Sequence, residues 1–134
     1  MSATYPFTAM RHYNEVGNGA SIEASPHKLI DMLLGATLDR LAAARGCMLR
    51  AERPGKLSAV SSAVAIIEHL RITLDMQAGG EIAQNLAQLY DYMVRRLLKA
   101  NADDSPVIVE EVAGLVRELK AGWEAMPAVM PTRH

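Results

Sequence analysis

At 134 residues the chain is long enough for one domain with a real core. Half of its residues are apolar and only 4% are aromatic, a balance leaning to Ala, Leu and Met that favours helix over sheet. A formal net charge of −1 excludes the basic excess of a nucleic-acid binder and gives no pull toward an acidic lipid surface.

Residues 1–24 show no sustained period, because Pro6, Gly17 and Gly19 interrupt it. The segment reads as a mobile N-terminal arm with room for one short helix over residues 7–16. Its apolar members (Tyr5, Phe7, Met10, Tyr13 and Val16) suggest that it docks somewhere. Ser25-Pro26 then starts a helix: Ser is a preferred N-cap, and Pro fits the first helical position, where its missing N–H would be unpaired anyway. This first helix is predicted to run to about residue 51, where Arg53-Pro54-Gly55 stops it. The second is predicted over about 57–77, with Gly79-Gly80 ending it, and the third over about 81–100. Ser105-Pro106 repeats the start signal, and the fourth helix runs to about residue 125. Pro127 and Pro131 make residues 127–134 a flexible tail.

Four helices of similar length with short joints predict an all-α, antiparallel up-and-down four-helix bundle over residues 25–126, preceded by the arm. Placed on a wheel at about 100° per residue, helices two and four show ordinary core stripes. On helix two the stripe is Val60, Ala63, Val64, Ile67, Leu70 and Leu74, with Ile66, Ile72 and Met76 off it. On helix four it is Ile108, Val112, Leu115, Val116, Leu119 and Trp123. Helix one differs: from Leu29 to Leu41 its apolar residues sweep roughly 240°. On helix three the sweep from Ile82 to Leu98 is about 180°. A corner helix buries a third to a half of its circumference, so the surplus needs a cover. The arm, a second copy of the chain and a different protein are all open, as is an irregular bundle that buries more.

Chemistry is sparse. His12, His27, His69 and His134 make no i, i+4 pair, and no metal motif exists. Cys47 is the lone cysteine, so no intrachain disulfide is possible; a packed thiol in a reducing compartment, the cytoplasm, is expected. No run reaches the ~20 apolar residues of a spanning helix, so no membrane insertion is expected. Glu110, Glu111 and Glu118 read as solvated charges. No catalytic residue, metal or cofactor is assigned, and an enzyme is not expected.

The segment Ser25-Pro26-His27-Lys28-Leu29-Ile30-Asp31-Met32-Leu33 resembles the opening of the first long helix of the bacterial flagellar secretion chaperones of the FliS family. A second block is similar to that family's third helix: Gly79-Gly80-Glu81-Ile82-Ala83, Asn85-Leu86, Leu89-Tyr90-Asp91-Tyr92-Met93, Leu97-Leu98 and Ala100-Asn101. Tyr13, Val16 and Trp123 match further landmarks, so the resemblance covers about residues 10–125. It departs at Leu34-Gly35-Ala36, where the family shows an aromatic, an acid and then glycine. The resemblance implies a cytoplasmic export chaperone without enzymatic activity. Such a chaperone binds the C-terminal segment of unpolymerised flagellin, prevents early polymerisation and supports secretion through the flagellar export apparatus. The resemblance leaves contacts with that apparatus, with the flagellar anti-sigma factor or with a co-chaperone open, and with them a monomer or a homodimer. The client surface is expected to be drawn from Tyr13, Val16, Leu29, Leu33, Leu34, Leu86, Tyr90, Val94, Leu97 and Leu98, the rest of that pool being core. The competing reading is a self-associating regulatory or adaptor bundle with no flagellin client.

Overall fold

In the computed structural model residues 25–126 are described, apart from the side chains of Gln77 and Ala78. They form four helices: α1 Pro26–Leu49, α2 Arg53–Ile72, α3 Met76–Asp103 and α4 Pro106–Ala125. No strand occurs among the described residues. Both expected Ser-Pro starts are present. Ser25 Oγ accepts from the Lys28 N–H at 3.1 Å, and Ser105 Oγ accepts from the Ile108 N–H at 3.2 Å. Each cap satisfies a donor that the first helical turn leaves orphaned.

The joints differ from expectation. α1 ends at Leu49 because Ala51 turns left-handed, at φ 57, and the Glu52 N–H returns to the Cys47 carbonyl at 2.8 Å. This is the closing geometry usually given to glycine. Pro54 then sits in the first turn of α2, where it starts a helix as readily as it would stop one. α2 stops at Ile72, several residues before Gly79-Gly80. There the Thr73 hydroxyl donates to the Leu70 carbonyl at 2.8 Å and the Thr73 N–H to that of His69. The two glycines belong to α3, which kinks at Gly80 (φ 53, ψ −131), a conformation that glycine reaches without a Cβ penalty. At the next joint Asp104 takes the left-handed position, at φ 50, and the Ser105 N–H caps the Ala100 carbonyl.

Each helix packs on its neighbours in sequence, and α1 and α4 meet to close the square. α1 and α3 do not pack together, so they occupy diagonal corners. The core is formed by Leu33, Leu34 and Leu41 of α1, Ile66, Ile67 and Leu70 of α2, Tyr90, Met93 and Leu97 of α3, and Val109, Val112 and Val116 of α4. Ile66, expected off the stripe, is 1% exposed, while Val64 is only partly buried. α2 is rotated toward α1, which it faces through a 3.0 Å hydrogen bond from Arg40 Nε to Ser62 Oγ.

Two polar devices hold the ends. At one, His27 Nε2 donates to the Trp123 carbonyl at 2.9 Å and Trp123 Nε1 donates to the His27 carbonyl at 2.8 Å. Their rings stack 5.0 Å apart, clasping the start of α1 to the end of α4. At the other, the buried Lys56 donates to the Asn101 carbonyl at 3.0 Å and pairs with Asp104, tying the α3–α4 joint to α2. Hydrogen bonding from Lys56 holds the Asp104 carboxyl below its ordinary range.

Candidate functional site

The expected client residues fall into four groups. Tyr13 and Val16 lie outside the described residues. Leu33 (2% exposed), Leu34 (1%), Tyr90 (4%) and Leu97 (0%) are core. A side chain so enclosed offers a partner nothing without unpacking the bundle, so these four are the members of the pool that belong to the core. Burial also pushes the Tyr90 hydroxyl up to about 12, consistent with a phenol kept from water. Leu29, Leu86 and Val94 are partly buried against the core, and Leu98 stands 57% exposed.

Three of these, Leu86, Val94 and Leu98, lie on α3, and Ile82, one turn before Leu86, is 71% exposed. The flanks of α3 are set by ion pairs. Asp91 lies 3.5 Å from Arg71 of α2, which also meets Glu68, and Arg96 Nε lies 2.9 Å from Glu111 Oε1 of α4. The Tyr92 hydroxyl donates to the other oxygen of Glu111, with Arg95 stacked over the Tyr92 ring. Tyr92, and then Arg96, hold the Glu111 carboxyl below its ordinary range. On a wheel, Val94 and Leu98 fall on the α2 flank with Asp91, Leu89 falls toward the α4 flank with Arg96, and Leu86 lies on the core face between Tyr90 and Met93. On α2, Val64 and Leu57 (56% exposed) lie on the flank turned toward α3, marked by Arg71. Val64, Leu57, Val94 and Leu98 therefore fall on the facing flanks of the α2–α3 seam, the same flanks on which Arg71 meets Asp91.

Sequence reasoning missed Leu57 and Ile82 as surface candidates. The signal was available for Ile82, which follows a glycine pair that could bend the helix and carry it off the bundle. For Leu57 there was none, because its exposure depends on where α2 begins.

The surface chemistry is apolar and helical. Among the described residues no group of three His, Cys, Asp or Glu side chains could hold a metal. No helix among them is long and apolar enough to cross a membrane. Cys47 is buried where α1 meets α2, and a Cβ at Gly55 would lie 2.7 Å from its sulfur, so the two helices approach closely there. A bundle with accessible apolar flanks between ion-paired helices is a helical scaffold of the protein-binding class.

The particular family follows from comparison with known proteins. Residues 9–130 match the family model described as Flagellar protein FliS. The chain is 42% identical over 123 residues to the Flagellar secretion chaperone FliSB of Pseudomonas aeruginosa, covering 91% of this chain and 98% of that one. It is 39% identical to the Flagellar secretion chaperone FliS of Salmonella typhimurium, with 90% of each chain covered. For that of Vibrio cholerae the identity is 35%, over 89% of this chain and 88% of the relative. This chain belongs to the FliS family of flagellar secretion chaperones.

Proposed function

We propose that the chain is an export chaperone for flagellin: it binds the C-terminal segment of the unpolymerised subunit in the cytoplasm, blocks early polymerisation and supports handover to the flagellar export apparatus, without catalysing a reaction. Membership of the secretion-chaperone family supports the general role. The observation that carries the client reading is the large apolar surface α3 leaves open at two places: Leu98, 57% exposed on the flank it shares with Asp91, and Ile82, 71% exposed just after the Gly80 kink. A segment that folds only on assembly carries amphipathic helices, and their apolar stripes need an apolar surface of this kind beforehand. Because α1 and α3 sit at diagonal corners, no single groove reaches the partly buried residues of both. A client that covers both must wrap the bundle, as a disordered chain can.

Isothermal titration of the chain with the C-terminal segment of flagellin from the same organism tests this. Saturable binding at micromolar concentration and co-elution are expected. A silent titration, with light scattering showing a stable dimer indifferent to flagellin, would reject the client and favour a self-associating adaptor.

A further inference from the structure

The seam between α1 and α4 is the bundle interface that no short joint makes, and its packing is uneven. Near the start of α1 it is closed by the His27–Trp123 clasp and by Lys120, whose Nζ lies 3.4 Å from Asp31. Two turns further along α1 it opens into a cleft of about 220 Å³. Leu38 and Leu41 of α1 and Val109 and Ala113 of α4 form its apolar floor. The void has a cause in the sequence: Ala42 and Ala113 line it, and neither carries enough side chain to fill the space.

The size is informative. Sites for small molecules run from roughly 300 to 1,000 Å³, so this cleft is small for a metabolite and suits one bulky apolar side chain. The rim is informative too. Arg117 is held by Glu110, which also borders the cleft. Arg45 is exposed and makes no ion pair or hydrogen bond among the described residues. An apolar floor beside a guanidinium with no partner among the described residues complements a leucine- or phenylalanine-sized side chain with a carboxylate close to it.

We propose that this cleft is the anchor pocket for an acidic amphipathic stretch of the client. One large apolar side chain enters over Ala113, and an Asp or Glu about one helical turn away from it pairs with Arg45. The inference rests on the export-chaperone reading and specifies the chemistry of the client on the α1–α4 side. A buried apolar anchor flanked by a charge pair is the usual form of a binding hot spot, with the charge fixing register.

The test titrates the full-length chain and two variants, Arg45→Glu and Ala42→Leu, with the flagellin C-terminal segment. Both positions are exposed, so both variants are expected to melt within a few degrees of the parent. Each is expected to bind about tenfold more weakly or worse. An acid-to-lysine scan of the client segment should find one position that restores affinity for Arg45→Glu. Parent-like affinity in Arg45→Glu, or a scan in which no position restores binding, overturns the anchor pocket while leaving the client reading intact. If Ala42→Leu fails to fold, Arg45→Glu and its rescue decide alone. A parent chain that binds no client overturns the export-chaperone reading and the pocket with it.

Discussion

α1 and α3 stand at opposite corners of the bundle and dispose of broad apolar stripes in different ways. On α1, Leu33, Leu34, Leu41 and Ala44 enter the core, and Leu29, Ile30, Ala36 and Leu38 pack partly against it. Its large exposed apolar residue is Leu49, where the helix ends. On α3, Ala83, Tyr90, Met93, Leu97 and Ala100 are buried, yet Ile82 and Leu98 stay open. The neighbours explain the contrast. α1 has a charged pair on its α4 side alone: Lys120 passes 3.5 Å from where a Gly35 Cβ would be and reaches Asp31, while on the α2 side Arg40 meets the small, neutral Ser62. α3 is flanked on both sides by charged pairs, Arg71–Asp91 and Arg96–Glu111, whose long side chains bridge outside the core. The width of a stripe therefore measures capacity for burial, and the residues across the interface determine how much is used.

The comparison breaks most directly at the core. Leu34→Ala on α1 and Leu97→Ala on α3 should each cost about 2–5 kcal/mol in denaturant titrations, since each opens a cavity in a fully packed site. A cost below about 1 kcal/mol at Leu34 would mean that α1 does not bury its stripe as described. The second effect separates the two helices by function. Leu98→Asp combined with Ile82→Asp should leave the melting temperature within a few degrees. The same pair should lower client affinity about tenfold or more by calorimetry. An equal loss of stability and binding would place those side chains inside the bundle.

The flank of α3 supplies a pH test. Tyr92 and Arg96 lower the Glu111 carboxyl from its ordinary value of 4.5, so the folded state binds that proton less readily than the unfolded chain. The stabilisation is complete above that ordinary value and fades as pH falls through the lower folded one. The stability gap between the parent and Glu111→Gln should therefore be largest at neutral pH, at most about 1 kcal/mol, and should close in acid. A gap undiminished at about pH 3 would assign it to shape instead of charge. The smallest effect concerns where α1 stops. Ala51→Gly relieves a left-handed backbone and should raise stability by a few tenths to 1 kcal/mol in the same denaturant assay. A loss would show that Ala51 contributes contacts that outweigh its strain.

Much of this was legible from residue order. The Ser25-Pro26 and Ser105-Pro106 starts need only a hydroxyl and a ring at adjacent positions, and both formed as expected. The motif blocks on helices one and three led to the family that the comparisons establish. The joints were less legible. Gly79-Gly80 carries the same local signal whether it ends one helix or bends the next, and the hydroxyl of Thr73 closed α2 first. Which members of the candidate pool are core was not legible. Leu33 and Leu34, like Leu97 and Leu98, are adjacent leucines about 100° apart on a wheel. For Leu97 and Leu98 that angle separates full burial from exposure, whereas Leu33 and Leu34 are both buried.

By itself, the sequence determined that this chain makes four amphipathic helices, where two of them begin, and that α1 and α3 have more apolar surface than a minimal core requires. These are local properties of side-chain periodicity and capping. Only the tertiary structure decided which part of each stripe is core. It placed α1 and α3 on a diagonal, rotated α2 so that Ile66 replaced Val64 inside, and left a cleft between Ala42 and Ala113. Those outcomes depend on what stands across each interface, and a helix wheel contains no neighbour.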